Sequence, residues 1–312
     1  MSFTFGANDL HRGAKREGKS RTKGSARPPQ VQRAIRTIGS QVTDASSRGA
    51  VGYTRPMLMC TVHNCRLPLV REARRLHCPR GHSFDVARSG YVNLLQPQER
   101  RSKKPGDTAA AAAGRRRLHD RGVTEPLRNA IAAIMGASPS DCVLDVGCGD
   151  GFYLGILARQ IGFDAHGIDI SIPAIDAAAR RYPEYEWIVA NADRFVPYAD
   201  RSFSIVLSIT ARMNSAECRR VLRDEGRLLV AVPAPDDLIE LRGAGRDRVA
   251  RTLETFSLDF ALVDRHRVAT VADLDASAIH DVLLSIYRPM QSRSADARRV
   301  TLSLDLLLFR AT

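Results

Sequence analysis

Val143-Leu144-Asp145-Val146-Gly147-Cys148-Gly149-Asp150-Gly151-Phe152-Tyr153 reads as an apolar strand that turns through three glycines into a helix. Asp145 closes the strand. Gly147, Gly149 and Gly151 make a turn with little side-chain bulk, so a ligand can lie against the backbone. The helix that follows is expected to present unpaired N–H groups towards that ligand. A glycine-rich turn alone is a weak signal, but this one has a second half. One βα unit further on, Ala165-His166-Gly167-Ile168-Asp169 reads as a second strand ending in a carboxylate. An acid at that place accepts both hydrogen bonds of a ribose, with Ile170 beside it.

The glycines are spaced G-x-G-x-G, and Asp145 precedes them directly. This version resembles motif I of class I S-adenosylmethionine (SAM) methyltransferases. The chemistry differs from dinucleotide binding in one respect. A pyrophosphate wants bare N–H donors, whereas SAM brings a sulfonium cation and an amino group, which suit carboxylates. A dinucleotide enzyme, or a βα turn with no ligand, remain the competing readings. Cofactor-binding candidates are therefore Asp145, Gly147, Gly149, Asp150, Gly151, Asp169 and Ile170.

The chain has 312 residues, enough for two domains, and its 44% hydrophobic content suffices for a core. The N-terminus lacks an apolar signal-peptide region, and no run approaches membrane-spanning length. Six cysteines in a chain this long do not suggest a disulfide scaffold, and their placement points to metal. A soluble, cytoplasmic protein without a membrane partner is expected.

The net charge of +13 is unevenly spread: +7 over residues 1–50, +10 over 51–117 and −4 over 118–312. All the positive excess precedes the glycine turn, which suggests that a polyanion is engaged by the N-terminal third. Residues 1–55 read as a basic, disordered extension. That tail either touches RNA without specificity or has no role.

Within residues 56–107, Cys60-Thr61-Val62-His63-Asn64-Cys65 and Cys78-Pro79-Arg80-Gly81-His82 form a C-x4-C-x12-C-x3-H pattern. Three thiolates and an imidazole at this spacing suit tetrahedral Zn2+. The ligand candidates are Cys60, Cys65, Cys78 and His82, with His63 in the wide first knuckle as the rival of Cys60. So small a segment lacks the apolar residues for a core of its own without metal.

The knuckles are followed by Phe84-Asp85-Val86-Ala87-Arg88-Ser89-Gly90-Tyr91-Val92-Asn93-Leu94-Leu95 and by a basic linker with Arg100, Arg101, Lys103 and Lys104. Pro105-Gly106-Asp107-Thr108 leads on to the glycine turn. In that order these motifs resemble the 23S rRNA (guanine-N1)-methyltransferase family of housekeeping and macrolide-resistance enzymes, over roughly residues 58–312. The resemblance implies an α/β fold: a Rossmann-like class I methyltransferase domain, residues 108–312, behind a small N-terminal zinc-binding domain that recognises 23S rRNA. It also implies SAM and Zn2+ as cofactors. Homodimerisation is left open.

The chain departs from the family at three places. In the family a tyrosine two residues before Pro126 contacts the cofactor, and Thr124 stands there. An aromatic-Ala-Pro sequence is replaced by Thr210-Ala211-Arg212, and a cofactor-contacting histidine by Asp237. Thr124 and Asp237 join the cofactor candidates, and Arg212 is a candidate base or phosphate contact. After the third strand, Asn191 or Asp193 stands in for the acid that holds the adenine amino group. Guanine N1 carries a proton at neutral pH, so a proton acceptor is needed. Asp107, Asp193 and Asp237 qualify by type alone, and the catalytic residue stays unassigned. The alternatives are methylation of another RNA base or of a small molecule, and a zinc-containing RNA-binding protein without catalysis.

Local patterning predicts a helix over 109–135, helices at Ile172–Tyr182 and Asp275–Ser285, strands at 186–190, 202–209 and 226–233, and an antiparallel edge hairpin ending in the alternating stretch 301–306.

Overall fold

A computed structural model describes residues 55–99, 106–211, 214–285 and 294–312. The basic extension before residue 55, the linker cations Arg100, Arg101, Lys103 and Lys104, and Arg212 lie outside the described residues.

The metal-candidate segment folds as a three-stranded antiparallel meander, β1 (Val70–Glu72), β2 (Arg75–His77) and β3 (Ser83–Asp85), carrying both knuckles. A two-residue strand follows, β4 (Val92–Asn93), which pairs in parallel with a strand nearly a hundred residues later. The Tyr91-Val92-Asn93-Leu94-Leu95 run thus adds an outer strand to the large sheet. Leu58, Leu76, Val92 and Leu94 are buried in the same apolar cluster as Leu144, Ile168 and Ile188. The knuckle segment uses the core of the α/β part, which answers its shortage of apolar residues.

The stretch predicted as one helix over 109–135 is two: α1 (Ala109–Asp120) and α2 (Glu125–Met135). The break has a local cause. Gly122 adopts φ 79°, outside the helical range, and Pro126 belongs in a first helical turn and not a helix interior. Thr124 sits in this break.

The Rossmann-like part then alternates: β5 (Cys142–Val146), α3 (Phe152–Ile161), β6 (Asp164–Asp169), α4 (Ile172–Arg181), β7 (Glu186–Val189), β8 (Phe203–Ile209), α5 (Ser215–Val221), β9 (Leu222–Pro233), the short α6 (Ile239–Arg242), α7 (Val249–Phe256), β10 (Phe260–Leu274), α8 (Ala276–Ser285) and β11 (Arg298–Ala311). Every residue of β5 is buried, as a central parallel strand with helices on both faces requires. The sheet order is β10-β11-β9-β8-β5-β6-β7-β4. Strands β4 to β9 pair in parallel, while β11 is antiparallel to both β9 and β10. The edge hairpin is therefore present as predicted. Strand order reverses at β5, between β6 and β8, so the crevice opens beyond the carboxyl ends of these strands.

Candidate functional site

A cavity of about 890 Å3 occupies that crevice. Its floor is Val146, Gly147, Ile168, Asp169 and Ile170, and α8, β10 and β11 close one side. The glycine turn is fixed by two close approaches. Gly147 has φ 81°, and a Cβ there would stand 2.4 Å from the Ala211 Cβ. Gly151 has φ 72°, and a Cβ there would meet the Trp187 ring at 2.4 Å. Gly147 is thus tight at the cavity wall, and Gly151 is tight in the core.

Four N–H groups of the turn are spent inside the protein. Gly147 and Cys148 both donate to the Ile168 carbonyl, at 2.8 and 3.0 Å, and Gly151 donates to the Cys148 carbonyl at 3.0 Å. Gly149 donates to Asp169 Oδ2 at 2.9 Å. The expectation concerned the first N–H groups of α3, and of these Gly151, at the N-cap, is spent inside the turn. A turn with these four donors consumed has fewer left for a pyrophosphate.

The floor carries the Asp169 carboxylate, with Asp145 buried close to it and outside the cavity lining. Asp169 is held by Gly149 and, through Oδ1, by the Ser171 N–H at 2.8 Å. A carboxylate has about four lone-pair sites, so acceptor capacity remains for ribose hydroxyls. Asp145 is buried, and its Oδ1 has no hydrogen-bond partner among the described residues. Burial, reinforced by the charge of Asp169, pushes the Asp145 carboxyl up to about 8. A buried acid with an orphaned oxygen beside a second acid fits a cationic ligand. The residues present therefore fit SAM, with Asp145 and Asp169 as the acidic pair.

Of the other sequence-level candidates, Thr124, Ile170 and Asp237 line the cavity, whereas Asp145, Gly149, Asp150 and Gly151 do not. Asp150 lies 3.2 Å from the Arg116 guanidinium. Asp237 accepts from the Ser303 N–H at 3.1 Å and from Arg242 at 2.8 Å, so its charge is already answered by an arginine. Asn191 and Asp193 both line the cavity.

Sequence reasoning missed Arg115, His119 and Tyr153 as cavity residues. Arg115 forms an ion pair with Asp107, whose carbonyl accepts from the Ser171 hydroxyl at 2.7 Å. The 106–107 segment is thereby tied to the end of β6. His119 stacks on Phe152 with centroids 3.9 Å apart and planes 5° from parallel, and meets Tyr153 edge-on at 5.3 Å. Burial, with Arg115 and Arg116 nearby, holds the imidazole down to about 3, so it is neutral at physiological pH. The one available signal was the spacing of Arg115 and His119, one helical turn apart.

At the knuckles, the donor atoms of Cys60, Cys65, Cys78 and His82 all lie within 4.8 Å of one another. Cys65 Sγ and Cys78 Sγ are 3.8 Å apart, and His82 Nδ1 stands 3.4 Å from both Cys60 Sγ and Cys78 Sγ. A tetrahedron with Zn–S of about 2.3 Å has S···S edges of about 3.8 Å. The donor set and its edges fit Zn2+. His63 is exposed and outside this cluster.

A family model described as "Methyltransferase domain" matches residues 143–230, and one described as "RlmA, N-terminal" matches residues 59–103. The chain is 38% identical over 232 residues to a Streptomyces fradiae protein named 23S rRNA (guanine(748)-N(1))-methyltransferase, covering 70% of this chain and 81% of that one. It is 36% identical over 226 residues to the Bacillus subtilis protein YxjB, named as a putative 23S rRNA (guanine-N(1)-)-methyltransferase, covering 65% and 76%. A similarly named Micromonospora griseorubida protein is 35% identical, covering 60% and 68%.

Proposed function

Because this chain belongs to the 23S rRNA (guanine-N1)-methyltransferase family, we propose that it methylates N1 of a guanine in 23S rRNA. The observation that carries this reading is the pairing of a four-donor metal cluster with an acid-floored cavity, built on one shared core. A methyltransferase for small molecules needs no such module.

SAM supplies an electrophilic methyl group, carried as a sulfonium cation. The chain supplies position and charge. Asp169 would accept from the ribose, Asp145, buried close by and outside the cavity lining, would answer positive charge from there, and Gly147 keeps the wall open for close approach. His119, Thr124 and Tyr153 form the wall that replaces the family's tyrosine. Holding both reactants in line contributes much of the rate in such displacements. The guanine must be unstacked for its Watson–Crick edge to enter. Its N1 proton needs an acceptor at the cavity mouth, and Asp107, Asp193 and Asp237 all line the cavity. Asp193 is exposed at the rim, and Asp193→Asn is the first substitution to test for loss of kcat with cofactor affinity kept.

Residues 56–107 act as the rRNA-recognition module, with Cys60, Cys65, Cys78 and His82 on Zn2+, and residues 108–312 as the transferase. An rRNA substrate implies action in the cytoplasm. Among the described residues no helix is long and apolar enough to cross a membrane.

The test is methyl transfer from isotope-labelled SAM to unmodified 23S rRNA, mapped by mass spectrometry. N1-methylguanine at one position is the expected result. Label on another base overturns the guanine assignment. SAM affinity by calorimetry without any transfer would leave an RNA-binding protein without catalysis.

A further inference from the structure

A second cavity, of about 450 Å3, lies between the first zinc knuckle and the loop after β7. Its size is within the range of small-ligand sites, roughly 300–1,000 Å3. On the knuckle side it is lined by His63, Asn64 and Arg66, and on the other side by Arg194 and Phe195. Gln98 and Glu99 complete it, so one carboxylate faces the two guanidiniums. The cavity is not a plain anion hole.

Three features point to a ligand. First, the Arg66 guanidinium sits over the Phe195 ring, 4.6 Å from its centroid, and no carboxylate among the described residues pairs with it. The ring, which Arg220 also approaches at 4.9 Å, packs against the guanidinium, and the N–H fork makes no hydrogen bond among the described residues, as phosphate recognition requires. Second, Arg66 has φ 45°, in the left-handed region. A glycine would make the same turn without strain. A strained arginine is costly unless its side chain is used. Third, one loop serves both this cavity and the cofactor site. Asn191, Ala192 and Asp193 line the cofactor cavity, and the next two residues, Arg194 and Phe195, line this one. The loop is pinned from both sides, by the Asn191 amide donating to the Glu99 carbonyl at 3.2 Å and the Asn214 amide donating to the Asp193 carbonyl at 2.9 Å.

We propose that this cavity is a nucleotide subsite for single-stranded RNA, in which Arg66 and Arg194 grip the phosphate of a residue flanking the target base. The polar groups of Asn64, Gln98 and Glu99 face its sugar or base edge. Cationic side chains beside an aromatic ring are the usual composition of a single-strand site. The subsite rests on the rRNA reading above and gives it a path, since a strand crossing from knuckle to cofactor passes over the 191–195 loop.

The test uses full-length protein, a 23S rRNA hairpin transcript and, as a sequence-independent probe, a short oligouridylate, across a salt series. The variants are Arg66→Gly and Arg194→Gln. Arg66→Gly relieves the left-handed strain, so thermal stability should hold or rise, with zinc content and SAM affinity unchanged. RNA affinity should still fall several-fold, and the log–log salt slope should drop by roughly 0.7 for each single-strand phosphate no longer neutralised. A purely structural Arg66 would give the opposite pattern, lower stability with RNA affinity intact, and that result overturns the proposal. So does an unchanged slope in both variants when the wild type methylates rRNA. If the wild type neither binds nor methylates rRNA, the functional reading fails first and this inference with it.

Discussion

His119 Nδ1 and Thr124 Oγ1 stand 2.7 Å apart across the break between α1 and α2, and both residues line the cofactor cavity. The threonine occupies the place of the family's cofactor-contacting tyrosine. Beside it the cavity wall carries the His119 imidazole, stacked on Phe152 and hydrogen-bonded to the threonine. We predict that Thr124→Val, which keeps shape and loses the hydroxyl, weakens SAM binding through loss of orientation at His119. A single hydrogen bond of this kind contributes about 0.5–1.5 kcal/mol. Calorimetric titration with SAM measures it. Equal affinity in Thr124→Val and wild type would show that the pair does not shape the site.

Asp145 carries a pH signature. Its carboxyl titrates near 8 in the folded chain against an ordinary value of 3.8. A raised acid contributes stability that is fully present below about 4 and is lost as pH rises through about 8. Wild type should therefore lose thermal stability relative to Asp145→Asn over that window. A cation bound in the nearby cavity favours the charged form of Asp145, so SAM affinity should rise with pH over the same range. The rise should be absent in Asp145→Asn. Parallel pH profiles for the two proteins would remove Asp145 from the cofactor site.

Asp169→Ala should weaken SAM binding by about 1.5–3 kcal/mol, the scale of hydrogen bonds to a charged group. The same change leaves the Gly149 and Ser171 N–H groups without their acceptor. Thermal stability should therefore fall along with affinity, and a Kd unchanged in the folded variant would place the ribose elsewhere.

Gly151→Ala separates the fold from the site. The new methyl meets Trp187 at 2.4 Å in a left-handed turn, away from the cavity lining. Overpacking typically costs about 1–3 kcal/mol, and the backbone strain adds to it. Denaturant unfolding should report the loss. SAM affinity of the remaining folded protein should change little. A large affinity loss at unchanged stability would mean that Gly151 faces ligand.

What the sequence made legible was local. Asp145, the glycine turn and Asp169 lie within one βαβ unit, and the four metal donors within twenty-three residues, so spacing alone assembled them. The edge hairpin was legible from the alternation at 301–306. What stayed hidden depends on long-range docking. Arg115 and His119 read only as part of a helix until α8 packs on α1 and Phe152 supplies a ring. Strand β4 is too short to announce itself, and only its pairing with β7 reveals it. The consumption of the turn's N–H groups by Ile168 and Asp169 requires β6 to be in register with β5.

Zinc removal tests how the knuckle segment is held. Purified without chelator, the wild type should carry one zinc per chain, by elemental analysis. Cys78→Ser should lose it, because Cys78 is buried and lies 3.4 Å from His82 Nδ1. His63→Ala should keep it, because His63 stands outside the donor cluster. The consequence for stability follows from the shared core. Leu58, Leu76 and Phe84 are buried in one cluster with Val196, Tyr198 and Phe203. Losing the metal frees the knuckles but leaves this apolar packing to hold the segment in part. We therefore expect Cys78→Ser to lower thermal stability and RNA affinity while SAM affinity is largely retained. Zinc-free wild type, or zinc retained in Cys60→Ser and lost in His63→Ala, would break the ligand assignment.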